Sequence, residues 1–255
     1  MGERRRKGKT AVLAVIPARY ASTRLPGKVL KLVAGKPVVQ HVYERTCAAS
    51  LVDDVVVATD DERVVEALRQ FGTKVVMTRA DHCSGTDRIA EVAQESTAEI
   101  IVNVQGDEVL IDPRMIDQAI EPLLDDPQLV MSTLKHRIED EVEINNPNVV
   151  KVVTGLDGKA IYFSRAPIPV IRDEADRKAR MWCYFKHIGL YVYRRTFLLS
   201  YARMEPTPLE KLEKLEQLRA LENGFDIMVV ETELDSTGVD CEEDLAKARK
   251  IMGQP

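Results

Sequence analysis

The sequence predicts an α/β protein with a doubly wound, mostly parallel sheet. Three observations carry this prediction. Strand-like and helix-like segments alternate in βαβαβαβ order through the first half. The first apolar run empties into a short basic loop, the kind of strand end where α/β proteins bind ligands. The second half changes character and reads as a smaller mixed-sheet insertion around residues 130–205 within a single domain spanning 11–255.

The elements follow in order. Residues 11–16 form a buried first strand, and Pro37 opens a helix over 37–49. A β-branched run at 55–58 leads into Thr59-Asp60-Asp61-Glu62, a favourable helix start, and Gly72 stops the helix at 64–71. A third strand covers 74–77, and a helix near 87–94 follows a polar loop. The fourth strand, 100–104, ends in Gln105-Gly106-Asp107-Glu108, and Pro113 starts another helix. Farther on, runs at 149–153 and 160–163 flank a hairpin-type turn at 155–158. A strand at 188–193, a helix at 208–221 ended by Gly224, a strand at 227–231 and a closing helix at 241–251 complete the chain. Leu212, Leu215 and Leu218 read as core positions.

Composition narrows the function. A net charge of −5 over 255 residues argues against a general nucleic-acid binder. Cys47, Cys83, Cys183 and Cys241 are scattered without a CxxC pair. That pattern fits a reducing cytoplasm better than a zinc or disulfide scaffold. No apolar run approaches the length of a membrane span. The first ten residues read as a disordered basic arm, too short in apolar content for a signal peptide.

Five constellations carry candidate chemistry. The loop from Pro17 to Lys28 holds Arg19, Arg24 and Lys28, enough charge to neutralise a triphosphate. It matches neither a Walker A loop nor the dinucleotide glycine fingerprint, and the residues alone leave a solvated surface loop as the other reading. Asp107 ends a buried strand and suits a hard cation such as Mg²⁺, or else caps a turn. Asp240 precedes the closing helix. With Glu243 three residues on, it reads as a helix cap or as a second metal ligand. In the loop at 78–88, Arg79, Ser84 and Gly85 could contact a base or phosphate, or Thr86 and Asp87 simply start a helix. Arg165 and His187 offer charge and hydrogen bonds to an acidic, hydroxylated ligand, and Glu216 and Gln217 could accept from sugar hydroxyls.

Taken together, these segments resemble the 3-deoxy-manno-octulosonate (Kdo) cytidylyltransferase family, the CMP-Kdo synthetases. The motifs are Pro17 to Lys28, Asn103 to Glu108, Tyr162 to Arg165, Lys186 to Gly189, Leu215 to Arg219 and Gly238 to Asp240, in the family's order. The resemblance implies a nucleotide-diphospho-sugar transferase-like fold with the insertion serving dimerisation. It implies CMP transfer from CTP to Kdo with release of pyrophosphate, supplying lipopolysaccharide synthesis. CMP-sialic acid synthetases and cytidylyltransferases for 8-amino-Kdo are the alternatives it leaves. It further implies that Arg19 and Lys28 bind the triphosphate. Pro17, Ala18, Arg79, Ser84 and Gln105 would surround the nucleotide. Asp107 and Asp240 would hold Mg²⁺, and Gln105, Arg165, His187, Glu216 and Gln217 would face the sugar. Members are typically cytoplasmic homodimers. One departure is visible: Val109-Leu110 stands where the family usually has proline.

Overall fold

The computed structural model describes residues 10–21, 25–172, 182–236 and 238–253. The arm at 1–9 and Arg24 lie outside them. In chain order the first half comprises β1 (Val12–Pro17), β2 (Leu32–Val33), β3 (Lys36–Pro37), α1 (Val38–Cys47), β4 (Asp54–Thr59), α2 (Glu62–Arg69), β5 (Val75–Met77), α3 (Gly85–Gln94), β6 (Ile100–Asn103) and α4 (Pro113–Asp125). The second half adds β7 (Met131–Arg137), α5 (Glu141–Asn145), β8 (Lys151–Thr154), β9 (Ala160–Ser164), β10 (Phe185–Arg194), α6 (Arg195–Tyr201), α7 (Pro208–Glu213), α8 (Leu218–Glu222), β11 (Met228–Thr232) and α9 (Glu242–Ile251).

One nine-stranded sheet runs in the order β11-β7-β10-β6-β1-β4-β5, with β8 paired to β10 and to β9. β1 pairs in parallel with β4 on one side and β6 on the other. Its residues alternate between two buried layers. Val12, Ala14 and Ile16 pack with α1, α2 and α4, while Leu13 and Val15 pack with α3, α6 and α8. Both faces are therefore covered, as the doubly wound reading requires.

The chain leaves β1 toward β4 on one side and reaches β6 on the other. This reversal of strand order opens a crevice at the carboxyl ends of β1 and β6, where open α/β sheets take ligands. The two strand ends approach closely there. A Cβ added to Gly106 would lie 2.6 Å from the Pro17 carbonyl oxygen, so only glycine fits without a backbone shift.

Four strands of the 130–205 segment, β7 to β10, belong to the main sheet. β10 runs antiparallel to both β6 and β7, and the β8–β9 hairpin extends from it. The expected helix at 208–221 is interrupted. Lys214 adopts a left-handed conformation (φ 54°) that ends α7, and α8 resumes at Leu218. The helical pattern of charges and leucines gives no sign of this break. The break also corrects the core assignment: Leu215 and Leu218 are buried, but Leu212 is 79% exposed. At the closing helix the cap is Cys241, with Asp244 at the third position, in place of Asp240 and Glu243.

Replacing Gly106 with alanine forces β1 and β6 apart at their carboxyl ends. Gly106→Ala should lower stability by about 1–3 kcal/mol, read as a reduced denaturant midpoint with the secondary structure retained. An unchanged midpoint would contradict the close approach.

Candidate active site

Two adjoining cavities lie at the carboxyl edge of the sheet. The smaller, about 420 Å³, is lined by Pro17, Arg19, Lys28, Ser84, Gly106 and Asp107, among others. The larger, about 590 Å³, includes Glu143, Lys186, His187, Glu216 and Gln217 in its wall. Gln105 and Gly85 line both, so the cavities share a wall at the end of β6 and the start of α3.

The smaller cleft centres on Lys28. Gly27, at φ 66°, turns the chain into the single 3-10 turn that begins with Lys28. Its Nζ donates to Asp107 Oδ2 and, at 2.8 Å, to Asp240 Oδ1. Burial disfavours the ammonium, but the two carboxylates more than offset that and raise its pKa. The carbonyl of Asp107 also accepts from the amides of Val109 and Val239, at 2.9 Å each. This ties the loop carrying Asp107 to the loop carrying Asp240. The Val109 amide is thus a donor that a proline in its place would lack.

Glu108 lies beside this pair and accepts from the Ser236 hydroxyl. Burial pushes its pKa up to about 7; the Ser236 hydrogen bond opposes this, and Asp107, Asp235 and Asp240 add to it. The sequence names Glu108 only as a neighbour of Asp107 and gives no sign of Ser236.

Arg19 also lines the cleft. Its guanidinium donates to the carbonyls of Cys83 and His82 at 3.3 and 3.2 Å. Ser84 caps α3, accepting from the Asp87 amide. Ala18 is buried, with its amide and carbonyl bonded to Ala58 and Thr59. It shapes the loop through its backbone, its amide being engaged by the Ala58 carbonyl. Arg79 does not reach the cleft. It lines an adjoining hollow with Asp81, Glu91 and Arg203, is 70% exposed and pairs with Asp81 at 3.4 Å.

In the larger cavity, His187 Nε2 lies 2.9 Å from Thr133 Oγ1. Thr133 has one hydroxyl proton, and its shortest acceptor is the Leu190 carbonyl at 2.7 Å. The imidazole must then donate from Nε2, which leaves Nδ1 as an acceptor. Desolvation in the cavity wall lowers the pKa of His187 to about 3, so it contributes hydrogen bonding and no charge. Lys186 bridges Glu143 at 3.2 Å and Asp235 at 2.9 Å. Thr86 donates to Glu216 at 3.0 Å.

Arg165 sits at the margin of the larger cavity. It lines an adjacent hollow with Asp240, and the two walls share Asn148, Val150 and Lys214. Its guanidinium donates to the carbonyls of Glu213 at 2.7 Å, Pro147 at 2.8 Å and Lys214 at 3.4 Å. The Glu213 carboxylate in turn accepts from Ser164 and from the Arg165 amide. This knot holds the break between α7 and α8, and through it Glu216 and Gln217.

A parallel sheet with two polar cavities meeting at its carboxyl edge, one of them cationic beside paired carboxylates, has the layout of a nucleotidyltransferase. The model of the cytidylyltransferase family matches residues 13–228. A 3-deoxy-manno-octulosonate cytidylyltransferase of Pelobacter propionicus is 61% identical over 94% of this chain and 96% of its own. One of Geobacter metallireducens is 61% identical over 92% and 95%. The structure of a CMP:2-keto-3-deoxy-manno-octonic acid synthetase complexed with CTP superposes with a TM-score of 0.89 at 45% identity, covering 95% of this chain and 98% of that one. A 4-diphosphocytidyl-2C-methyl-D-erythritol synthase from Anaerococcus prevotii shares the fold at a TM-score of 0.63 and 12% identity, covering 96% and 97%. The chain belongs to the cytidylyltransferases and, within them, to the 3-deoxy-manno-octulosonate cytidylyltransferase family.

His187 gives a pH prediction. The unfolded imidazole takes up a proton near its ordinary pKa of 6.5, whereas the folded one does not until about pH 3. The unfolded state binds the extra proton in that window, so stability falls as pH drops through it. In His187→Gln, denaturant titrations between pH 6.5 and 4 should show a shallower loss than wild type. Equal slopes would contradict a neutral, buried His187.

Proposed function

We infer that the protein transfers CMP from CTP to the anomeric hydroxyl of Kdo and releases pyrophosphate, supplying an activated sugar acid for lipopolysaccharide synthesis. The observation that carries this is the pair of adjoining cavities meeting at Gln105. The cationic one suits a nucleoside triphosphate, and the wider, hydroxyl- and carboxylate-lined one suits a polyhydroxylated acceptor. Relatives named for Kdo at 61% identity favour it over sialic acid as the acceptor.

The reaction needs no side-chain nucleophile. The sugar hydroxyl oxygen attacks the α-phosphorus in line, the bond from that phosphorus to the bridging oxygen of pyrophosphate breaks, and the hydroxyl proton passes to solvent. The protein acts by positioning and by offsetting charge. Arg19 and Lys28 neutralise the triphosphate and the departing pyrophosphate. Gln105, in the shared wall, orients the two substrates toward each other. His187 holds a sugar hydroxyl as a neutral acceptor at Nδ1.

The donor set fits Mg²⁺. Asp107 and Asp240 converge on one point, and a two-carboxylate site completed by substrate phosphates and water is what this ion takes. Among the described residues no cluster of three or more His, Cys, Asp or Glu side chains offers a fuller site. Bound there, Mg²⁺ supplies Lewis-acid polarisation and charge neutralisation to the phosphates. Lys28 stands as the counter-ion of both carboxylates, and a triphosphate would draw it away from them.

We further propose a cytoplasmic homodimer. No disulfide joins cysteines among the described residues, which suits a reducing compartment. Ile161 on β9 and Leu212 on α7 are large, apolar and 64% and 79% exposed, surface that a second copy would cover. No helix among the described residues is long and apolar enough to cross a membrane.

The direct test is pyrophosphate release with CTP, UTP or ATP against Kdo, 8-amino-Kdo and sialic acid. CTP with Kdo should be fastest. Faster turnover of either other acceptor would overturn the assignment of Kdo. Asp107→Asn and Asp240→Asn should each cut turnover by about 100-fold or more while remaining folded. Near wild-type activity would remove that residue from the centre.

A further inference from the structure

Two buried polar atoms in the wall of the larger cavity have no hydrogen-bond partner among the described residues: Glu216 Oε1 and Gln217 Nε2. Interior polar atoms are rarely left unpaired, because the missing bond is costly. Here one is an acceptor and the other a donor, on consecutive residues in the break between α7 and α8. The cation nearest to Glu216 Oε1 is the Arg219 guanidinium at 3.9 Å, beyond hydrogen-bond distance.

The other carboxylate oxygen is engaged. Thr86 Oγ1 donates to Glu216 Oε2 at 3.0 Å. Thr86 is buried, lines the same cavity, and follows Gly85, which belongs to the wall shared by both cavities. Thr86 therefore links the start of α3, on the nucleotide side, to the carboxylate on the acceptor side. Starting a helix requires no hydroxyl at this position, since Ser84 and Asp87 already complete the capping box.

We propose that Thr86 is a positioning residue for the acceptor: its hydroxyl holds one oxygen of Glu216 so that the other, with Gln217 Nε2, reads two hydroxyls of the bound sugar acid. One sugar hydroxyl donates to Glu216 Oε1, and another accepts from Gln217 Nε2. This role rests on the reading of the protein as a Kdo cytidylyltransferase. Without the Thr86 donor, the carboxylate loses the bond that fixes its rotation and is free to turn toward Arg219.

The surroundings set a second signature. Glu216 faces Arg219 on α8, Glu210 on α7 and Asp87 on α3. Tyr201 on α6 donates to its main-chain carbonyl at 2.6 Å, and Tyr191 and Tyr193 on β10 lie near it. Burial raises the pKa of Glu216, with the Thr86 hydrogen bond and Arg219 opposing and Asp87 and Glu210 adding. Losing the Thr86 hydroxyl removes one opposing influence and moves the carboxyl farther up.

The test compares wild type, Thr86→Val and Thr86→Ser in steady-state kinetics with Kdo and CTP, over a range of pH. Thr86→Val should raise KM for Kdo by about tenfold or more, leave KM for CTP unchanged and move the acidic limb of kcat/KM for Kdo to higher pH. Thr86→Ser, which keeps the donor, should match wild type in all three. Four results would overturn the role: Thr86→Val behaving as wild type toward Kdo, an unmoved acidic limb, a parallel loss in both KM values, or no rescue by serine. If the wild-type protein releases no pyrophosphate from CTP and Kdo, the reading of the reaction falls and this role with it. If the wild type turns over and Thr86→Val is unaltered, the role alone falls.

Discussion

The ion pairs of Lys28 with Asp107 and Asp240 are the contact on which the rest of the site depends. The three residues come from the loop after β1, the loop after β6 and the segment before α9. Like charges brought this close repel, and a half-buried pair of carboxylates is tolerated only with a cation between them. Lys28 supplies that cation in the free protein. The backbone reinforces it through the Asp107 carbonyl, which accepts an amide from each side. A substrate that takes up Lys28 leaves two ionised carboxylates side by side, and that is the charge a divalent cation binds.

The sheet explains why these parts meet. Reversal of strand order at β1 opens the crevice, and Gly106 lets the ends of β1 and β6 approach closely enough to share a wall. Antiparallel β10, set between β6 and β7, brings Lys186 and His187 to the same edge. The Arg165–Glu213 knot and the left-handed Lys214 then turn Glu216 and Gln217 into the larger cavity. The two cavities are thus two sides of one sheet edge, which is what transfer between two substrates requires.

Much of this was legible in the sequence, for a physical reason. Strands buried on both faces read as plain apolar runs, so β1, β4 and β6 stand out, and the loops that follow them carry Lys28 and Asp107. β7 does not stand out, because Ser132 and Thr133 are buried there among the apolar residues. The break at Lys214 is a matter of one backbone angle inside a helical pattern of leucines and charges. Arg165 illustrates a different limit: nothing in the sequence shows that its guanidinium also holds the main-chain carbonyls of Pro147, Glu213 and Lys214. Glu108, Thr86 and Ser236 act through partners distant in the chain, and only the fold brings these together. Asp240 reads as a helix cap by spacing, whereas the structure assigns the cap to Cys241 and leaves Asp240 for Lys28.

The measurement that bears most directly on the central claim is Mg²⁺ binding to the nucleotide-free protein, followed by calorimetry in wild type and in Lys28→Met. If Lys28 is the resident counter-ion of Asp107 and Asp240, its removal leaves both carboxylates unneutralised. Lys28→Met should then bind Mg²⁺ more tightly than wild type, and adding Asp107→Asn should abolish the gain. Equal affinity in wild type and Lys28→Met would contradict the account.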